Sequence, residues 1–282
     1  MSKNLLAPML VQLKSDALNA GAIQAGLRTQ ALGRRVHILT ETPSTNTLGS
    51  TLAASGEPHG TVILAEHQTA GKGRLGRSWA SPPNKNIYCS VILRDPRLQP
   101  HMTWVPLVTG LAISEAIQTE QLIKPSLKWP NDLLIGNKKL GGILCEGTSR
   151  GNTPSVLIIG FGVNVNTTLD DFSEDLQPIA TSLFQESGHP CNRNTLLACM
   201  FNHLERWYAQ LTSNNIDLVH SAYAAECSTL GLDVRCTLTG SREIHGRATA
   251  IGIDGSLHVT PFEQGAKKTI EVRSADVTHV RT

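Results

Sequence analysis

Apolar residues at helical spacing mark the clearest elements of the chain. Residues 193–211 carry them at i, i+3 and i+4 throughout, which predicts a helix with one face packed on a core. The same spacing predicts helices over residues 4–20 and 104–118. We expect residues 26–39 to form only a connection between the first helix and the main body.

Short apolar runs predict strands over residues 61–68 and 87–94. Residues 132–147 resemble a hairpin that turns at Gly136 and Asn137. The nearly continuous apolar run at 155–166 predicts a strand buried on both faces.

After about residue 230, short β-like segments alternate with glycines, a pattern typical of a small barrel. A chain of 282 residues is long enough for a large domain and a smaller one. We therefore predict an N-terminal helical segment and linker at 1–39, a main domain at 40–228 and a barrel at 229–282.

Composition narrows the class of protein. The chain is 40% hydrophobic and 17% charged, as in ordinary soluble domains. Its longest apolar run, about ten residues, is shorter than the ~18 that span a bilayer. A net charge of +2 gives no field that would attract nucleic acid or membrane. The six cysteines are scattered without a CxxC pair, which favours a reduced, cytoplasmic protein.

One metal-like pattern places Cys199 and His203 four residues apart, with His189 and Cys191 nearby. A zinc site needs three or four converging ligands. A core cysteine beside a surface histidine is the favoured interpretation, and no protein metal site is predicted.

The most informative loop is AGKGRLGRSW at 70–79, in which Gly71, Gly73 and Gly76 match G-x-G-x-x-G. A dinucleotide site would need a helix directly after these glycines. Pro82 and Pro83 follow instead, so we disfavour a nicotinamide-dependent oxidoreductase.

The same loop carries Lys72, Arg74 and Arg77. Glycines let the backbone approach an anion, and arginine holds a phosphate or carboxylate through two parallel hydrogen bonds. The loop is therefore a candidate anion site, with a solvated basic loop as the alternative.

Five motifs in a fixed order give the loop a context. They are PSTN at 43–46, AEHQTAGKGRLGRSWASP at 65–82, KWPNDLLI at 128–135, KLGGILCE at 139–146 and GFGVNVN at 160–166. Together they resemble the catalytic domain of monofunctional biotin–protein ligases over about residues 40–230. Residues 246–259 resemble the SH3-like barrel that ends these enzymes.

The resemblance implies an α+β fold, with a central mixed sheet and flanking helices like class II synthetases, plus the small C-terminal SH3-like β-barrel. It implies that biotin and ATP, with Mg²⁺, give biotinyl-5'-adenylate. The biotinyl group then passes to a lysine of the biotin carboxyl carrier protein or domain of acetyl-CoA carboxylase or a related carboxylase. It leaves open a homodimer.

The resemblance also implies roles for individual residues, with Lys128 and Arg74 catalytic. Positions matched to biotin contacts are Ser44, Thr45, Asn46, Gln68, Gly71, Lys72, Gly73, Arg74, Lys128 and Gly142. Positions matched to ATP or adenylate contacts are Arg74, Arg77, Trp79, Asn131 and Asn164. We also expect ligand to protect the loop from protease.

Each assignment has a plainer alternative. Ser44 or Thr45 would cap a helix in any protein, and Trp79 would serve as a core aromatic. Lys72 stands where the family usually has arginine, so a bidentate contact there is in doubt. Asn131 and Asp132 are candidates for Mg²⁺ contact or for stabilising a turn.

Several other functions compete. A lipoate or octanoate ligase would share the fold but lacks this pairing of GKGRLGR with KWPND. A bifunctional ligase–repressor would need a winged helix for which residues 1–40 are too short, so we expect no sequence-specific DNA binding. A biotin acceptor would carry Met-Lys-Met, which is absent. A non-catalytic biotin-binding module would not need the cationic loop and Lys128.

Overall fold

The computed structural model describes residues 17–148, 156–238, 243–262 and 268–280. Most of the helix predicted over residues 4–20 lies outside these ranges. None of the helices in them is long and apolar enough to cross a membrane.

A seven-stranded mixed sheet forms the centre of the main body. Its strands are β1 (Val36–Leu39), β2 (Val62–Ala65), β3 (Ile87–Leu93), β4 (Ser126–Lys128), β5 (Asp132–Ile135), β6 (Lys138–Thr148) and β7 (Val156–Val163). Their order is β1-β2-β3-β7-β6-β5-β4. β1 and β2 are parallel, and every other neighbouring pair is antiparallel.

Helices cover both faces of this sheet. They are α1 (Ala20–Ala25), α2 (Thr45–Ala54), α3 (Trp104–Gln121), α4 (Leu183–Ser187), α5 (Arg193–Thr212) and α6 (Ile216–Glu226). Because side chains alternate along a strand, Ile63 and Ile158 pack with Ala53 of α2, while Leu64 and Ile159 belong to the larger core cluster. α3 and α5 pack against each other as part of that cluster.

A second, five-stranded antiparallel sheet follows, in the order β11-β10-β9-β8-β12. Its strands are β8 (Asp233–Thr237), β9 (Glu243–Ile251), β10 (Leu257–Pro261), β11 (Ile270–Val272) and β12 (Asp276–His279). This small sheet fits the small barrel that the glycine-punctuated pattern predicts and the SH3-like barrel that the resemblance implies. The predicted α+β fold class is therefore confirmed.

Two buried tryptophans join the small sheet to the main body. Trp104 Nε1 donates to the Ile253 carbonyl at 2.9 Å, and Trp129 Nε1 donates to the Gly255 carbonyl at 3.1 Å. Gly255 has φ +81°, and an added Cβ there would lie 3.3 Å from Trp104. The turn between β9 and β10 is therefore seated directly on α3 and on the turn after β4.

Most predicted elements are present. The strand runs 61–68 and 87–94 contain β2 and β3, and the predicted hairpin is β5–β6. β7 lies between β3 and β6, which explains its continuous apolar run.

The stretch 26–39 is not only a connection, as we expected, because it includes β1. Four residues made this strand too short to recognise from its pattern. The helices α1, α4 and α6 were also not predicted.

A buried ion pair fixes the beginning of α5. Arg193 is 1% exposed, and its Nη1 donates to Glu66 Oε2 at 2.6 Å and to the Asn86 carbonyl at 3.1 Å. Glu66 directly follows β2, and its Oε1 accepts from the Leu18 amide at 2.9 Å. The pair therefore ties α5, the end of β2 and the N-terminal segment together.

We predict that Arg193→Met lowers the free energy of unfolding by about 3–5 kcal/mol, because it leaves the Glu66 carboxylate buried without its partner. Urea unfolding measures this. Arg97→Met is the matched control, since Arg97 pairs with Asp95 at the surface and should change stability little. Equal losses in the two variants would contradict the prediction.

Candidate functional site

A cavity opens on the sheet between the beginning of α2 and the loop at 70–79. It encloses about 490 Å³, counting the part open to solvent. Ten of the residues predicted from the sequence line it, namely Ser44, Thr45, Asn46, Gln68, Lys72, Gly73, Arg74, Trp79, Asn131 and Gly142.

The beginning of α2 supplies one polar wall. Ser44 occupies the N-cap position, yet its side chain makes no capping hydrogen bond. The Gln68 Oε1 atom accepts instead from the Thr45 amide at 2.9 Å and from Thr45 Oγ1 at 3.2 Å. Since Ser44 is not used as a cap, its hydroxyl is left to the cavity that it lines.

Asn46 is fixed by protein contacts on both ends of its amide. Its Oδ1 accepts from Ser90 Oγ at 2.6 Å, and its Nδ2 donates to Glu146 Oε2 at 2.7 Å. A Cβ added to Gly160 would lie 2.1 Å from Asn46 Oδ1. Asn46 therefore shapes the wall of the cavity, and glycine at position 160 makes room for it.

Trp79 lies flat against β7. A Cβ at Gly162 would lie 2.6 Å from its indole ring. On the ring, Lys139 Nζ lies 5.6 Å from the centroid, a cation–π distance, and also 2.6 Å from Asp132 Oδ1. The indole Nε1 has no hydrogen-bond partner among the described residues, so the ring is held by packing and by the contact with Lys139.

The loop itself is a folded turn. The Gly73 amide donates to the Arg77 carbonyl at 2.7 Å, and the Trp79 amide donates to the Gly71 carbonyl at 2.9 Å. A single 3₁₀ turn at Arg74–Gly76 stands where a dinucleotide site needs an α-helix. The structure thus agrees with the rejection of a dinucleotide site.

Arg74 connects three parts of the chain. Its Nη1 donates to Asn131 Oδ1 at 3.1 Å and to the Ala275 carbonyl at 3.2 Å, and its Nη2 donates to Ser274 Oγ at 3.2 Å. Burial lowers the pKa of Arg74, and the carboxylates of Asp132 and Asp276 oppose that shift. The guanidinium is held at the cavity by neutral acceptors, so most of its charge is available to a ligand.

Arg77 turns away from the cavity. Its two terminal nitrogens donate to the two carboxylate oxygens of Asp276 at the start of β12. This pairing lowers the pKa of Asp276 and raises that of Arg77.

Lys128 ends β4 beside this cluster, although it does not line the cavity. Burial lowers its pKa, while nearby Asp132 and Asp276 favour the charged form. Its side chain makes no hydrogen bond or ion pair with any other residue in the described ranges. Like the Lys72 ammonium at the cavity itself, the Lys128 ammonium is therefore free of a protein partner among the described residues and can meet an added anion.

The turn after Lys128 is fixed from the small sheet. The Trp129 amide donates to Thr229 Oγ1 at 3.0 Å, which lies 3.1 Å from His279 Nε2 on β12. Burial, together with the charge of Lys128, lowers the pKa of His279 to about 4, so its ring is neutral at neutral pH.

Four predicted residues do not line the cavity: Gly71, Arg77, Lys128 and Asn164. Gly71 is buried under the loop, where a Cβ would lie 2.5 Å from the Trp79 carbonyl. Asn164 is 4% exposed, and its Nδ2 donates to the Thr181 carbonyl at 2.9 Å. Its amide therefore supports the chain after β7.

The sequence analysis missed several residues of the wall. Lys139, Gly160 and Gly162 line the cavity without having been singled out. Glycine inside a strand often marks a close approach by another group, so GFG at 160–162 did carry a signal. No such signal in the sequence pointed to Lys139, because its contacts with Trp79 and Asp132 join separate motifs.

The described residues do not form a protein metal site. No group of three or more His, Cys, Asp or Glu side chains among them could hold a metal ion. The candidate Asp132 pairs with Lys139, and Asn131 Oδ1 accepts from Arg74. His203 contacts Glu115 at 2.9 Å, which accords with the ordinary interpretation of the Cys199 and His203 pair.

Fold and cavity together define a class: an α+β protein with a polar pocket on its sheet and a cationic glycine loop at the rim. A profile of the biotin/lipoate A/B protein ligase family matches residues 38–164. The chain is 33% identical over 268 residues to a bifunctional ligase/repressor BirA of Bacillus spizizenii, covering 94% of this chain and 80% of that protein. It is also 33% identical over 277 residues to a biotin–[acetyl-CoA-carboxylase] ligase of Mycobacterium tuberculosis, covering 94% and 98%.

Among solved structures, a biotin protein ligase from Aquifex aeolicus in complex with biotin and ATP has a TM-score of 0.76 at 27% identity. The match covers 88% of this chain and 100% of that one. This chain belongs to the biotin/lipoate A/B protein ligase family. The resemblance seen in the five motifs is confirmed.

We predict that Gly160→Ala lowers the free energy of unfolding by about 1–3 kcal/mol, because a displaced Asn46 leaves buried polar groups without partners. Gly147→Ala on the neighbouring strand β6 is the control, since a Cβ there has no neighbour within 4 Å. Chemical unfolding of both variants checks this, and equal stability of the two would refute it.

Proposed function

We propose that this chain is an ATP-dependent biotin–protein ligase. It activates biotin as biotinyl-5'-adenylate and transfers the biotinyl group to a lysine of a carboxylase carrier domain. The observation that carries the proposal is a cluster of three cations beside a polar pocket. Arg74 lines the pocket, and Arg77 and Lys128 lie near Arg74 but outside the lining. One relative is a biotin–[acetyl-CoA-carboxylase] ligase, and the similar Aquifex structure contains biotin and ATP. Both support biotin and ATP as the substrates.

The polar wall suits the ureido head of biotin, which offers two N–H donors and one carbonyl acceptor. Ser44, Thr45 and Gln68 present hydroxyl and amide groups to this end of the cavity. Asn46 completes this wall, and its amide is oriented by Ser90 and Glu146 as Thr45 is oriented by Gln68. We assign Gly142 and Trp79 to the walls along the apolar part of the ligand.

In the first step a biotin carboxylate oxygen attacks the α-phosphorus of ATP, and the bond to the departing pyrophosphate breaks. Negative charge gathers where the two anions meet. Lys72, Arg74 and Lys128 would neutralise that charge without forming a covalent intermediate. The Gly71 and Gly73 backbone allows the loop to lie close to the mixed anhydride and keep water away.

In the second step the carrier lysine amine attacks the activated carbonyl carbon, the anhydride C–O bond breaks, and AMP leaves with its phosphate charge. The amine loses its proton to solvent. Arg74 and Arg77 would hold the departing phosphate, and Asn131 would keep Arg74 in place through its 3.1 Å hydrogen bond. Asn164 would support the adenylate side from below β7.

Mg²⁺ enters this proposal with the nucleotide. Magnesium commonly binds substrate phosphates and keeps several waters, so it needs few protein ligands. The contacts of Asn131 with Arg74 and of Asp132 with Lys139 agree with this, because both residues are already engaged.

We assign the carrier of acetyl-CoA carboxylase or a related carboxylase as protein substrate, and the cytoplasm as compartment. Four points stay predictions. They are the domain boundaries at residues 40 and 229, a homodimer, protection of the loop by ligand, and the lack of sequence-specific DNA binding.

ATP–pyrophosphate exchange tests the adenylating half-reaction without a carrier. We expect exchange with biotin, and none with lipoate or octanoate, because the polar wall is matched to a ureido group. Exchange with lipoate or octanoate alone would move the protein to the sister activity. Exchange with none of the three acids would overturn the proposal.

We predict that Lys128→Ala slows adenylate formation by roughly 10²–10³-fold, the range for losing one charge-stabilising donor, and leaves thermal stability intact. Lys124→Ala is the control, because Lys124 lies on the same segment as Lys128 but pairs with Glu226 of α6, 2.6 Å away. Single-turnover formation of the adenylate measures both. Equal rates would remove Lys128 from the mechanism.

A further inference from the structure

Asp276 is a charged residue to which the proposed reaction gives no role. It is the first residue of β12, where its backbone pairs with Thr237 of β8. Its carboxylate accepts from both terminal nitrogens of Arg77, 199 positions earlier in the chain. Arg74 and Lys128 are the next charges that act on this carboxylate. The small sheet thus places one anion among three cations of the proposed active site.

This contact diverts Arg77 from the cavity. Arg74 lines the cavity wall, whereas Arg77 does not. Within the described part of the chain, Asp276 is the carboxylate that forms an ion pair with Arg77. The other nearby carboxylate, Asp132, pairs with Lys139 at 2.6 Å.

The two terminal nitrogens of an arginine form one edge, which holds one carboxylate or one phosphate through two parallel hydrogen bonds, and in Arg77 this edge is taken by Asp276. Arg77 therefore has to release Asp276 before it can hold a phosphate. Once a polyphosphate arrives, the fixed carboxylate also becomes a like charge beside it.

We propose that Asp276 is an internal competitor of the nucleotide: it holds Arg77 and the glycine loop on the small sheet until a polyphosphate displaces it. The inference rests on the proposed function, because it takes ATP as the displacing anion. Asp276 thereby sets how tightly ATP binds, and it does not touch the reacting atoms.

The strength of the pair suits this role. The Arg77 and Asp276 side chains are 62% and 34% exposed, so water screens their attraction, and such pairs contribute modestly. A phosphate with more than one negative charge can replace a carboxylate of this kind. Because β12 fixes Asp276 and the loop carries Arg77, the loop is the part that moves.

The test compares Asp276→Asn with Asp233→Asn. Asp233 is the control because it forms an ion pair within the small sheet, with Arg247 at 2.7 Å. Each variant therefore loses one charge and one ion pair. For Asp276→Asn we expect KM for ATP in biotin-dependent exchange to fall about three- to fivefold. We expect kcat to change less than twofold and KM for biotin to stay the same. Asp233→Asn should match the wild type.

A second measurement uses no ligand. Trypsin cleavage after Arg74 and Arg77 should be faster in Asp276→Asn than in the wild type or Asp233→Asn, because the loop loses its anchor. Asp276→Glu, which keeps the charge, should retain the slower cleavage. Asp276→Glu is also the variant to compare with the wild type if Asp276→Asn does not fold.

An unchanged or raised KM for ATP in Asp276→Asn would overturn the inference, as would equal cleavage rates. A parallel rise in KM for ATP and biotin with a lower melting temperature would show a structural role instead. If the wild type shows no biotin-dependent exchange, the proposed function fails. The ligand-free cleavage comparison then still decides whether Asp276 holds the loop.

Discussion

The organisation of the site depends on the placement of one half-buried cation, Arg74. Arg74 loses part of its hydration at the rim of the cavity, and burial of a charge is unfavourable unless polar groups replace the water. Asn131, Ser274 and Ala275 supply those groups. They come from the turn after β4 and from the small sheet. The turn after β4 and the small sheet thus fix Arg74 from two sides, while hydrogen bonds within the loop hold its backbone.

The floor of the cavity follows from a second constraint, the space between backbone and side chain. β7 runs through the middle of the sheet, where bulky apolar side chains are the usual choice. Gly160 and Gly162 break that pattern, because Asn46 and the Trp79 indole lie where a Cβ would stand. The two glycines thus make room for the two side chains that form walls of the cavity. Its polar wall is then held by hydrogen bonds among Asn46, Ser90 and Glu146.

Local patterns carried most of the fold and part of the site. Helical spacing at 104–118 and 193–211 reflected burial along α3 and α5, which tertiary contacts reinforce. The short strand β1 escaped notice because four half-buried residues give no clear period. For the site, the glycines and charges of the loop were visible in one stretch of ten residues.

Contacts between distant residues could not be predicted in that way. Glu66 with Arg193 and Arg77 with Asp276 join positions more than a hundred residues apart. In the sequence, each of these charges looks like part of a solvated surface. Folding decides which of them meet, so the pattern alone gave the cations of the loop without their partners.

The small sheet is therefore part of the site rather than an appendage. Lys72, Arg74 and Arg77 repel one another within six residues of chain, and a loop of this charge needs acceptors to stay folded without a ligand. The main body offers Asn131, while its nearby carboxylate Asp132 is already paired. Ser274, Ala275 and Asp276 supply the remainder. If Asp276 competes with the nucleotide as proposed, the contacts that hold the loop on the small sheet also oppose its movement toward a bound anion.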